Sequence, residues 1–327
     1  MQQQNVTSKK PAELTGEIIS DAYALQLIRE FKEKFPEEVA TVSIESTIIF
    51  NAVKDLPNVS GIRFMYGMES ADDPASKVIL LMPCNVTSTH QLIPNVIVQP
   101  HGYLNNRGER VSLKRTWEFL YNNAVHYAPL LPGVKFHKIV RGAFFGIDAL
   151  KALLQEYTNA PALHYHFGWD KTVTDTALQH TPVLQPVHND GTGYEMYMDN
   201  GSLCPPPSGC TSNDDGTASD TCTVTDMVNT GNSQQTDPEQ ELNIYRKYRD
   251  NYLLGNEDNG PLVEMYYYVS PALKEAILVT GRAKEIYTAL YNNEVRQCNM
   301  LIEEGKYEAA KILFEHTMDE LMKTYLR

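Results

Sequence analysis

Two histidines one residue apart, His164 and His166, offer the most direct chemistry in the chain. Alternate residues of a strand share a face, so both imidazoles could reach one divalent ion such as zinc, with Asp170, His180 and His188 as further donors. The competing reading makes them the polar side of a half-buried sheet, at the place where Arg63 and Met65 stand earlier in the chain. Cys204, Cys210 and Cys222 are separated by five and eleven residues, whereas structural zinc ligands come in pairs two to four residues apart. Loop thiols are therefore the expectation, with zinc or, on export, a disulfide as alternatives. Thr211-x-Asn213-x-Asp215-Gly216 opens like a calcium loop, but Cys222 stands at the twelfth position in place of the bidentate Glu.

Other reaction centres are not signalled. There is no Gly-rich phosphate loop, Gly-x-Ser-x-Gly elbow or His-Glu-x-x-His. Glu37-Glu38, Asp72-Asp73 and Glu303-Glu304 are neighbouring carboxylates expected on exposed turns or helix ends; residues i and i+1 do not face each other, so they make poor acid–base pairs. No catalytic residue is assigned, and the chain reads as a non-enzyme.

Composition narrows the partners. With 28 Lys and Arg against 41 Asp and Glu, the formal charge of −13 disfavours nucleic acid and anionic membrane surfaces, which are bound by a basic surplus. No apolar run approaches the roughly 18 residues that span a bilayer. The Gln-rich start shows no secretory signal, which predicts a cytoplasmic protein unless a non-Sec route exports it. Five cysteines, an odd number, fit a reducing compartment.

The elements that would position the histidines occur twice. Ile62, Phe64 and Tyr66 alternate with Arg63 and Met65; Leu163, Tyr165 and Phe167 repeat that alternation 101 residues later. Ahead of each stands an apolar helical stretch, Ile48–Val53 and Ile147–Leu154; beyond each stands a second strand, around Val78–Met82 and, at an offset near 105, Val183-Leu184. Third strands are expected at 96–99 and 194–198. The leading helices carry Ile19, Ala22, Leu25 and Ile28 in one copy, Trp117, Leu120, Tyr121 and Val125 in the other, and Pro36 and Pro129 end them.

This predicts an α+β fold: a disordered leader 1–16, two tandem small helix-plus-antiparallel-sheet domains (17–110 and 111–198), a Gly/Ser/Asp/Pro-rich linker loop 199–236, and a C-terminal α-helical bundle 237–327. Asp237-Pro238 and Ser270-Pro271 are cap-and-proline starts, and Gly281 and Gly305 punctuate two long helices.

Gly61–Gly67, Gly142-Ala-Phe-Phe-Gly146 (read as a turn) and Cys204-Pro205-Pro206 resemble a repeat unit of uncharacterised bacterial proteins, which implies no activity. Tyr245 to Leu254, continuing through Tyr266-Tyr267 to Ser270-Pro271, resembles the helical region of bacterial CFI-box proteins, although Thr236-Asp237-Pro238 stands where the Cys-Phe-Ile box belongs. Leu301–Ala310 is similar to the turn of one tetratricopeptide unit.

Modular repetition without convergent catalytic groups points to a structural or assembly protein that binds itself or another protein. Tyr245, Arg249, Tyr252, Tyr266 and Tyr267 are the candidate interaction residues, since tyrosines bury large area at low rotamer cost. No cofactor is expected. The alternative is a metal-dependent enzyme or small-ligand sensor whose pocket lies between the repeats, around His164, His166, Tyr165 and Trp169.

Overall fold

The computed structural model describes residues 11–85, 95–99, 101–134, 136, 139–199, 201–203, 227–230, 238–256 and 258–326. The fold is α+β, with two antiparallel sheets and a C-terminal helical region.

The first half comprises β1 (Glu17–Ile19), α1 (Asp21–Lys34), β2 (Thr41–Glu45), α2 (Ser46–Val53), β3 (Gly61–Met68), β4 (Lys77–Asn85), β5 (Asn95–Val96), β6 (Tyr103–Asn105) and β7 (Arg110–Val111). The second comprises α3 (Leu113–Leu130), β8 (Gly142–Gly146), α4 (Ile147–Lys151), β9 (Ala162–Trp169), β10 (His180–Val187), β11 (Tyr197–Asp199) and β12 (Ser202–Leu203). Helix α1 begins at Asp21 and leaves out Ile19, because the Ser20 side chain accepts from Tyr23 N–H as an N-cap while Glu17–Ile19 pair with β11. Gly142–Gly146 is a strand and not a turn.

Its pairing explains the requirement. Strand β8 lies against β3, and reciprocally β2 lies against β9, so each copy lends the strand that precedes its hairpin to the hairpin of the other. The registers agree residue for residue under the 101-residue shift: Val42 faces Tyr165 as Ala143 faces Phe64, and Glu45 faces Ala162 as Gly146 faces Gly61. Backbones crowd at this crossing, where a Cβ on Gly61 would meet the Phe145 carbonyl oxygen at 2.2 Å. The resulting strand orders are β1-β11-β10-β9-β2 and β12-β8-β3-β4-β6-β7, with β5 also on β4. The hairpin ends Met68/Lys77 and Trp169/His180 make the second offset 103, so Lys77 and His180 are equivalent positions.

The two sheets pack face to face through like positions of the repeat. Phe64 stacks on Tyr165 with centroids 5.6 Å apart, Tyr66 meets Phe167 at 5.2 Å, and the Tyr165 hydroxyl donates to that of Tyr66 at 2.9 Å. Contact between equivalent residues is what a twofold axis inside the chain produces. Around this seam Ile62, Ile79, Leu81, Phe145, Leu163 and Leu184 are completely buried.

Each sheet carries one leading helix on its outer face, and each helix covers the hairpin of the other copy. Ala24, Leu27 and Ile28 of α1, at helical spacing, sit on β9 and β10, while Phe31 reaches the inner core and stacks on Phe167; Trp117, Phe119 and Leu120 of α3 sit on β3. The outer face of the second sheet is further covered by the C-terminal helices α5 (Pro238–Tyr248), α6 (Gly260–Val279), α7 (Ala283–Leu290), α8 (Arg296–Glu303) and α9 (Tyr307–Tyr325). Trp117 stacks on Tyr268 of α6 at 6.1 Å, nearly parallel. Gly281 and Gly305, both at positive φ, end the helices that precede them.

Residues 11–16, read from sequence as part of the leader, form a short turn, and the Thr15 carbonyl accepts from Gly146 N–H at 2.9 Å. Residues 1–10 lie outside the described residues. So do Cys204, Cys210, Cys222, the calcium-like stretch and most of the expected linker.

Candidate functional site

The period-two alternation of β9 separates the side chains that a pocket between the repeats would need to bring together. Tyr165 and Trp169 point between the sheets and are buried, whereas His164 and His166 lie on the opposite, outer face. His166 is held by two partners. Gln185 donates its amide to the Tyr194 carbonyl and the Tyr197 hydroxyl, which leaves its oxygen to accept from His166 Nε2 at 3.0 Å. Nδ1 of His166 then accepts from the Thr41 hydroxyl at 2.8 Å. Burial drives the ring neutral, with its pKa down at about 4, and its free lone pair is the one Thr41 uses. The half-buried His164 ring stands 5.7 Å away, its pKa also lowered by burial.

The further donors do not join them. Asp170 accepts from the Tyr23 hydroxyl and from Thr172, His188 stacks on Tyr194 at 3.5 Å, and His180 faces the interior between the sheets. Among the described residues no three His, Cys, Asp or Glu side chains are grouped so that they could hold an ion. The described thiols, Cys84 and Cys298, are buried and unpaired with one another; burial pushes the Cys298 thiol up to about 11.

The interior holds instead an ionic centre. Lys77, fully buried at the start of β4, donates to Glu38 Oε2 at 2.7 Å and to the Tyr127 hydroxyl at 2.8 Å, and its ammonium lies 4.5 Å from the Phe167 ring centre. The other Glu38 oxygen meets His126 Nε2, while His126 Nδ1 faces the Ala71 carbonyl at 2.7 Å. Both ring nitrogens therefore face acceptors, so both carry hydrogens and the ring is a cation. Its pKa is raised chiefly by the bond to Glu38, against the opposing effect of burial. Burial alone would raise the Glu38 carboxyl, but the His126 bond and the Lys77 charge outweigh it and hold the group at about 2. Lys77 is lowered by burial, with Glu38 resisting. His180 completes the centre: its ring lies 4.9 Å from Tyr66 and 6.1 Å from Tyr127, neither nitrogen has a partner, and burial and then the Lys77 charge push its pKa down to about 3.

Sequence reasoning missed this centre. Glu38 follows Pro36 and Glu37 and looks like an exposed turn residue. The available signal was the repeat itself, which puts a titratable residue, Lys77 or His180, at the same hairpin position in both copies. A second buried pair joins the sheet to the helices: Arg141, ahead of β8, reaches Glu264 of α6 at 2.7 Å and the Ile139 carbonyl at 2.8 Å, with both side chains almost wholly buried.

The tyrosines expected at an interface are spent largely inside the helical region. Tyr266 is buried against Phe314, and Tyr245 donates to the Val295 carbonyl at 2.9 Å. Tyr252, half-buried, donates to Glu308 at 2.8 Å, and Arg249 bonds both Asp250 at 2.7 Å and the Tyr267 hydroxyl. Their rings pack with Leu262, Val269, Leu273, Ile277 and Leu321 in the core of the helical region. Beside them opens a cleft of about 660 Å³ lined by Gln240, Asn292, Asn293, Arg296, Gln297 and Glu303 among others.

No described helix is long and apolar enough to cross a membrane. Comparison with protein-family models, with curated proteins and with solved structures finds no match.

Proposed function

We propose that this chain is a non-enzymatic structural or assembly protein of the cytoplasm that works by protein–protein contact, chiefly with further copies of itself. One observation carries the reading: the junction of the two repeats, where a reaction centre or ligand would sit, is filled by stacked rings and by charges that satisfy one another. Glu38, Lys77 and His126 spend their polar atoms on one another and on groups of α3 and of the 69–76 loop. Light scattering across a concentration range tests the reading. Association that grows with concentration supports it; a strict monomer at high concentration that captures no protein refutes it.

A second reading, a small-ligand sensor, draws support from the amide-lined cleft beside α5 and α8, whose Asn and Gln side chains suit a polar, hydrogen-bonding ligand. It predicts saturable stabilisation by a polar metabolite, abolished by Asn292→Leu.

A further inference from the structure

The chain's internal symmetry provides a built comparison between two edges. Strands β2 and β8 are equivalent, yet their outer edges differ. On β8, Gly146 N–H is bonded by Thr15 and Phe144 is paired with Ser202 of β12. On β2 no described strand pairs with the outer edge, and the five-stranded sheet ends there.

The register fixes which groups face outward. Phe167 N–H bonds the Ala40 carbonyl and Ser46 N–H bonds the Pro161 carbonyl, so the even-numbered residues Val42 and Ile44 exchange bonds with β9. The N–H groups of Thr41, Ser43 and Glu45 therefore point away from β9, as do the carbonyls of Thr41 and Ser43; the Glu45 carbonyl, at an N-cap, is spent on α2. The strand Thr-Val-Ser-Ile-Glu is rich in β-branched residues and has neither Pro nor Lys to blunt it.

We propose that β2 is where two copies of this chain join, pairing antiparallel across a twofold axis so that their five-stranded sheets become continuous. The proposal rests on the self-association reading above and names its surface. Self-complementarity is what commits the edge to a second copy. With Ser43 opposite Ser43 of the second copy, the two serines exchange both backbone bonds, and each Glu45 N–H meets a Thr41 carbonyl. Each Glu45 side chain then faces a neutral Thr41, and no like charges are opposed. Val42 and Ile44 face their counterparts on the inner layer, while the exposed Ser43 and Glu45 and the half-buried Thr41 lie on the polar outer layer. A twofold pairing also closes on itself and consumes the edge, which an open-ended stack would not.

Residue 43 sits on the axis, and that gives a charge-swap test. Native mass spectrometry and sedimentation velocity of the full chain are expected to show a dimer for the native sequence. Ser43→Lys and Ser43→Glu, each exposed and each folded by far-UV circular dichroism, are expected to raise the dimer dissociation constant at least tenfold. An equimolar mixture of the two is expected to restore the dimer as a heterodimer, because only pairing through residue 43 places the opposite charges together. If both variants dimerise like the native chain, or if mixing restores nothing, the β2 proposal falls while self-association stands. If the native chain is monomeric at every concentration, both fall.

Discussion

Lys77→Met is the sharpest probe of the interior. The substitution keeps the volume of the stem but removes the ammonium that faces Glu38 Oε2 and the Tyr127 hydroxyl. Glu38 would remain almost fully buried, with His126 as its surviving cation. Removing one member of a buried ion pair costs roughly 3–5 kcal/mol, since the other charge is left stranded; the His126 bond offsets part of this, so about 3 kcal/mol is expected here. Replacing both partners, Glu38→Gln with Lys77→Met, removes the stranded charge and should recover at least about 1.5 kcal/mol relative to the sum of the single losses. The assay is urea unfolding at pH 7 followed by Trp169 fluorescence in a Trp117→Phe background, because Trp169 packs on Phe35 close to the centre and reports the sandwich alone. A Lys77→Met loss below about 1 kcal/mol, or losses that simply add in the double variant, would refute the claim that these charges depend on one another.

Further outcomes follow from the same geometry. His180 titrates near 6.5 when unfolded and at about 3 when folded, so its contribution is present above 6.5 and is lost as pH falls toward 3, by as much as about 5 kcal/mol. Glu38, lowered from 4.5 to about 2, adds a loss of the same sign below pH 4.5, and His180→Phe should flatten only the segment between 6.5 and 3 in a pH series of urea midpoints. His126 acts in the opposite sense: its raised pKa gives stability that is full below 6.5 and lost as pH climbs through the folded value, so His126→Gln should remove an alkaline-side decline. Arg141→Met should cost about 3–5 kcal/mol and loosen α6 from β8, read as faster amide exchange in α6, whereas a change under about 1 kcal/mol would show the pair to be dispensable. Gly61→Ala drives a methyl into the Phe145 carbonyl and should cost about 1–3 kcal/mol; a neutral result in thermal unfolding would contradict the close crossing.

Much of the layout could be read from residue patterns, and the failures have identifiable causes. Ile62, Phe64 and Tyr66 announce a strand and its buried face, and Gly281 and Gly305 mark real helix ends. The strand exchange was hidden because the inward pair Val42 and Ile44 suits the apolar face of either hairpin, so alternation specifies a face and not a partner. Gly142–Gly146 read as a turn because its two glycines look like punctuation; they are there because the backbones crowd. His164 and His166 were correctly placed on one face of a strand, but the Gln185 and Thr41 bonds that occupy His166 come from strands far away in sequence. Glu38 gave no warning, since nothing local distinguishes a carboxylate that meets solvent from one that meets Lys77 thirty-nine residues on.

The exchange of β2 and β8 between the two hairpins has a bearing on how the halves assemble. Half of the chain, expressed by itself, would own a hairpin short of a neighbour and a ribbon with nothing to lie on, and it could finish its sheets only by meeting another half. Joining the halves end to end turns that encounter between molecules into an event within one, at the millimolar effective concentrations a short tether provides. Two halves so joined no longer need abundance to assemble, and each is free to vary its outer face: one carries the C-terminal helices over Met65, the other the half-buried His164 and the bonded His166.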